Sequence, residues 1–113
     1  MDDTSLRCIV TVRIYGKEKC FGPGVAELLE RVEKERSLRK ATISMNMAYS
    51  KAWRMIKTAE ENLGFPLLDT VTGGAGGGGA VLTENGKRFL TSFRRYEDAV
   101  RGYAEEAFVE FMG

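Results

Sequence analysis

The residue types that carry most enzyme chemistry are sparse in this chain. It has no histidine, and Cys8 and Cys20 are its only cysteines. Histidine-based acid, base or triad chemistry is thereby excluded. Two thiols without an imidazole do not complete a tetrahedral zinc site within one chain, so no metal is expected. Both cysteines read as reduced, partly buried thiols. The glutamates are spread along charged helical stretches and read as solvated faces, so the chain is expected not to be an enzyme. Residues 74–79 match G-x-G-x-x-G literally. A dinucleotide site needs strand, loop and then helix, whereas these glycines lead into another strand. A P-loop fails too, because Ala80-Val81 follow Gly79 where Lys-Ser or Lys-Thr is required. No cofactor is expected.

The chemistry that does emerge is electrostatic. From Arg36 to Ala59 the charged residues are Arg36, Arg39, Lys40, Lys51, Arg54 and Lys57, and all sixteen carboxylates lie elsewhere. The net charge is only +1, so position, not total, carries the argument. Clustered cations over one supersecondary unit are the footprint of phosphate binding, which releases condensed counterions. Within this stretch Ser50, Lys51, Arg54, Lys57 and Thr58 share one helical face, and Ala52, Trp53, Ile56, Ala59 and Leu63 the other. A polar front on an apolar back suits a helix seated in the major groove of DNA, with Tyr49, Ser50, Lys51 and Arg54 nearest the base edges. At this spacing Trp53 reads as core.

The elements that must position these residues follow from periodicity. Residues 6–15 are rich in β-branched types, with Cys8, Val10, Val12 and Ile14 on one face, and read as a strand ended by Gly16. A first helix starts near Pro23 and runs to about Arg36 on the stripe Val25, Leu28, Leu29 and Val32. Ser37 caps a short second helix, roughly Leu38 to Ser44, with Leu38, Ala41 and either Ile43 or Met45 inward. Met45-Asn46-Met47 makes a tight turn into a third helix from about Tyr49 to Asn62, closed by Gly64. Leu67 to Thr72 and Ala80 to Leu82 read as a hairpin, its glycine-rich tip between them. Thr83 caps a last helix from about Glu84 to Met112, roughly 42 Å long at 1.5 Å per residue. On it Phe89, Phe93, Tyr96, Val100, Tyr103 and Ala107 alternate steps of four and three, a heptad-like stripe too long for so small a domain to cover. A second copy of the chain is the simplest partner for it.

The fold expected is α+β, mainly α: a winged helix-turn-helix with an N-terminal strand, a β-hairpin wing and a long C-terminal dimerisation helix. Its 113 residues suit one domain, with the helix-turn-helix over 37–63, the wing over 67–82 and the dimerisation helix over 84–112. The start lacks the basic region and apolar stretch of a secretory signal. No apolar run approaches the ~20 residues that span a bilayer, so the chain reads as cytoplasmic. DNA contacts are expected from Arg39, Lys40, Tyr49, Ser50, Lys51, Arg54, Lys57 and Thr58 and, on the wing, from Gly74, Gly76 and Gly77, where the absence of a Cβ lets backbone approach phosphate.

Three stretches also resemble a known family. Phe21-Gly22-Pro23-Gly24, Ala48-Tyr49-Ser50-Lys51-Ala52-Trp53, and residues 72–83 followed by Glu84-Asn85-Gly86 are similar to the N-terminal DNA-binding domain of ModE, the molybdate-responsive regulators. The helix-turn-helix also resembles the LysR-type regulators. The resemblance implies a winged helix that dimerises through its long helix and binds double-stranded DNA with the third helix and the wing. The sequence departs from the family where Ala48 replaces a capping serine, and where Ala75 and Thr70 replace basic residues. The resemblance covers the DNA-binding portion only, so molybdate binding is not expected. Two readings stay open: a sequence-specific transcription regulator, or an architectural or adaptor module of little sequence specificity.

Overall fold

A computed structural model describes residues 6–71 and 79–113. The chain runs through two strands, β1 (Ile14–Tyr15) and β2 (Lys19–Phe21), three helices, α1 (Pro23–Glu35), α2 (Leu38–Ser44) and α3 (Tyr49–Leu63), a second strand pair, β3 (Leu68–Val71) and β4 (Gly79–Leu82), and a long helix α4 (Glu84–Met112). This is a winged helix-turn-helix in the α+β class, mainly α.

The N-terminal strand is much shorter than its composition predicts. Only Ile14 and Tyr15 pair, antiparallel to β2, a strand the sequence did not reveal. β-branched residues favour extended backbone, but a strand also needs a partner for its amides and carbonyls. The three residues of β2 supply few partners, and Leu6 and Ile9 stand exposed. Cys8 is exposed as well, whereas Cys20 on β2 is buried. Burial in apolar surroundings pushes the Cys20 thiol above its ordinary pKa, away from a reactive thiolate.

α1 forms because Pro23 stands at its first position, where a missing amide costs nothing. Its stripe Val25, Ala26, Leu28, Leu29 and Val32 is buried and forms the centre of the core. Arg36 closes it in the left-handed region at φ 57°. The Ser37 hydroxyl accepts from the Lys40 amide at 3.0 Å and so starts α2. Leu38 and Ala41 point inward; Met45 packs against the core and Ile43 is exposed. The turn to α3 passes through Asn46 at φ 53°, a residue type that tolerates this conformation. Its amide donates to the Ile43 carbonyl, and that of Met47 to Thr42.

α3 buries Ala52, Ile56 and Ala59 and ends at Gly64, φ 86°. β3 and β4 pair from Leu68↔Leu82 to Val71↔Gly79. The β4 end of this hairpin docks on the corner between α1 and α2, where the Ala80 amide donates to the Arg36 carbonyl at 3.2 Å. A Cβ on Gly79 would lie 2.6 Å from that carbonyl oxygen, so only glycine permits the approach. The Thr83 hydroxyl accepts from the Gly86 amide at 2.9 Å and donates to the Pro66 carbonyl at 2.7 Å. One residue therefore caps α4 and fastens it to the start of the hairpin.

α4 meets the core only through its first half. Its buried residues are Gly86, Leu90, Phe93 and Glu97. Phe93 is 2% exposed and packs edge-on against Phe21 at 5.0 Å, while Phe89 meets the same ring at 4.7 Å. Glu97, which the sequence places on a solvated face, is 3% exposed. Arg94 Nη1 donates to Glu97 Oε1 at 2.8 Å, and its Nε and Nη2 fork onto the two oxygens of Glu30 on α1, both at 2.9 Å. This two-pronged bond ties α4 to α1. It also holds the Glu30 carboxyl below the ordinary glutamate range, against the opposing effect of partial burial, and raises the Arg94 pKa.

Candidate nucleic-acid interface

α3 owes its two faces to the 3.6-residue repeat. Ala52, Ile56 and Ala59 lock one side onto the core, which leaves Tyr49, Ser50, Lys51, Arg54 and Lys57 exposed on the other. Thr58 is half-buried, and its carbonyl accepts from the Asn62 side chain at 2.9 Å. α2 lies behind α3 and carries Arg39 and Lys40, both exposed. Of the residues expected to meet DNA, Arg39, Lys40, Tyr49, Ser50, Lys51, Arg54 and Lys57 are thus all exposed on α2 and α3, with Arg39, Tyr49 and Lys57 toward the wing and Lys51 and Arg54 toward the N-terminal hairpin. The wing residues Gly74, Gly76 and Gly77 lie outside the described residues.

The first turn of α3 is thinly secured. Ala48 occupies the capping position with φ −66° and ψ 138° but offers no side-chain acceptor. The amides of Lys51 and Ala52 both donate to the Ala48 carbonyl, at 3.1 Å each, which leaves those of Tyr49 and Ser50 without an intrahelical acceptor.

Trp53 corrects the sequence reading. It is 43% exposed rather than core. It follows Ala52 by one residue, so it is turned about 100° from the buried centre line, onto the flank of the stripe. There it lines a cleft of ≈ 200 Å³ with Arg39, Tyr49, Lys57, Glu60 and Thr70, between α3 and the wing. Two cations are already engaged on this side. The Lys57 ammonium sits 4.4 Å from the Trp53 ring centre and 3.3 Å from Glu60 Oε1. The Arg39 guanidinium lies 5.0 Å over the Tyr49 ring. These contacts hold flexible side chains in fixed places, and the Glu60 pair reduces the free charge of Lys57.

The sequence-predicted dimer stripe divides in two. Phe93 is buried in the protomer's own core, which leaves it no exposed surface for an outer seam, and Phe89 is half-buried against that core. Tyr96 and Tyr103 are exposed, Tyr103 at 72%, and Val100 and Ala107 are half-buried. Beyond Glu97 no α4 residue is buried, yet Val109, Phe111 and Met112 are also there, Phe111 at 76%.

No helix of the described residues is long and apolar enough to cross a membrane. The family model of the bacterial regulatory helix-turn-helix proteins of the lysR family matches residues 25–87, from α1 into the first turn of α4. Among individual relatives, the chain is 37% identical over 70 residues to the molybdenum transport protein ModE of Azotobacter vinelandii, covering 62% of this chain and 26% of that protein. It is 32% identical over 75 residues to the DNA-binding transcriptional dual regulator ModE of Escherichia coli K12, covering 66% and 29%. It is 29% identical over 94 residues to the molybdenum-pterin-binding protein MopB of Rhodobacter capsulatus, covering 83% and 35%. The matched stretch is thus about a quarter to a third of the length of these relatives.

Proposed function

This chain belongs to the lysR family of bacterial regulatory helix-turn-helix proteins, and from that premise we propose that it is a transcription regulator that binds double-stranded DNA sequence-specifically as a dimer. α3 enters the major groove, Ser50, Lys51 and Arg54 reach base edges, and the wing lies along the sugar–phosphate backbone. The observation that carries this reading is the exposed face of α3, basic and free of carboxylates through Ala59 and backed by α2 in helix-turn-helix geometry. The name of the Escherichia coli relative, a DNA-binding transcriptional regulator, supports the same partner. The uncovered half of α4 supplies the dimer contact through Tyr96, Val100, Tyr103 and Ala107. A contiguous apolar surface on a helix about 43 Å long lowers its free energy by pairing with an equal surface on a second copy.

Selection from a random-sequence duplex pool tests the specificity. Enrichment of one motif repeated about a dyad is the expected result. Retained binding without enrichment would move the protein to the architectural class, and no binding would overturn the reading.

A further inference from the structure

α3 has a cleft on each side, and only one faces the wing. The other lies between α3 and the N-terminal hairpin, has a volume of ≈ 730 Å³, and is rimmed by Arg13 and Lys19 from the hairpin region and Lys51 and Arg54 from α3. The two sides differ chemically. The wing-side cleft includes Glu60 in its wall. The hairpin-side cleft has no carboxylate in its lining, and among the described residues none of its four cations is within ion-pair distance of one.

Four like charges around one depression repel each other unless an anion lies between them. A helix seated in the major groove, about 12 Å wide, has a phosphate strand on each side. The wing lies toward one of them. On the DNA-binding reading above, on which this inference rests, the second strand passes on the side of the unpaired cations. We propose that the hairpin-side cleft grips that second phosphate strand through Arg13 and Lys19, which close on it from outside, while Lys51 and Arg54 on the α3 rim turn toward the base edges. The hairpin is then a second clamp, and the helix is held on both flanks.

The test is the salt dependence of binding to a mixed-sequence 30-base-pair duplex. Arg13→Gln/Lys19→Gln removes two exposed charges without touching the core. Its slope of log K against log salt should be shallower by about 0.9 for each phosphate that is no longer neutralised, or about 1.8 for each bound protomer. Lys34→Gln/Arg95→Gln, which removes the same charge from α1 and α4, should keep the wild-type slope. The charge-retaining Arg13→Lys/Lys19→Arg should keep it too. If the hairpin variant matches wild type while Lys51→Gln/Arg54→Gln weakens binding, DNA sits on α3 but not in this cleft, and the proposal is overturned. A wild-type protein with no salt-dependent binding overturns the DNA reading and the clamp together.

Discussion

Arg54 and Lys57 are one helical turn apart on the same face of α3, yet their surroundings give them different work. Arg54 is exposed with no ion-pair partner among the described residues, whereas Lys57 is held between Trp53 and Glu60. Arg54→Ala is therefore expected to weaken binding to the selected duplex by about 1–3 kcal/mol and to relax selection at one base pair, as for a bidentate guanine contact. Lys57→Ala should lower affinity less, and equally for all sequences. Fluorescence anisotropy on the selected duplex and its single-base variants separates the two. Unchanged affinity and selectivity in Arg54→Ala would mean that the reading face is wrongly placed. The cationic face was legible in the sequence because charge and period coincide over 36–59. The position of Trp53 was not, because a bulky apolar residue one step off a stripe satisfies the pattern while facing the flank. Arg13 and Lys19 were hidden for another reason. Lys19 lies on β2, a strand of three residues with no periodic signal, and Arg13 just precedes β1, so only the β1–β2 pairing brings the two to one cleft.

At the scale of elements, capping residues and apolar stripes marked most boundaries. Ser37, Gly64 and Thr83 stop or start helices where expected, since each supplies a local hydrogen bond or backbone conformation that needs no distant partner. The long N-terminal strand failed because pairing is a property of two segments. Glu97 failed because a charge on a helix is solvated unless a partner covers it, and Arg94 and Arg101 do so from the next turns. Two outcomes follow for the elements. Ala48→Ser should supply the missing acceptor at the start of α3 and stabilise the protein by about 0.5–2 kcal/mol in urea unfolding; no gain would mean that the first turn is already satisfied. The Glu30–Arg94 bond should make the docking of α4 acid-sensitive. The Glu30 carboxyl has a lowered pKa in the fold, so its contribution is complete above the unfolded-state value near 4.5 and is lost as pH falls through the lower folded-state value. Thermal unfolding of wild type and Glu30→Gln should differ at pH 7 and converge toward pH 3. A difference that persists undiminished to pH 3 would contradict the assignment.

For the whole molecule, the division of α4 decides the architecture. Its first half completes the protomer's core around Phe21, and its second half has no cover of its own. The stripe was visible in the sequence as a single heptad-like run. Where it passes from core to exposed surface was not, because that depends on how far the three shorter helices reach along it. Tyr96→Glu/Tyr103→Glu places charges in the proposed seam, where their desolvation is costly. Sedimentation at micromolar concentration should find monomers in place of dimers, and DNA affinity should fall because one half-site no longer holds the other in place. A variant that stays dimeric would move the seam elsewhere. Footprinting of the selected duplex with the wild-type protein reaches the central claim most directly. Two equivalent protected patches related by a dyad, with centres about 34–36 Å apart or a multiple of that, are expected from two α3 helices in successive major grooves. A single asymmetric patch, or uniform protection with no preferred site, would contradict it.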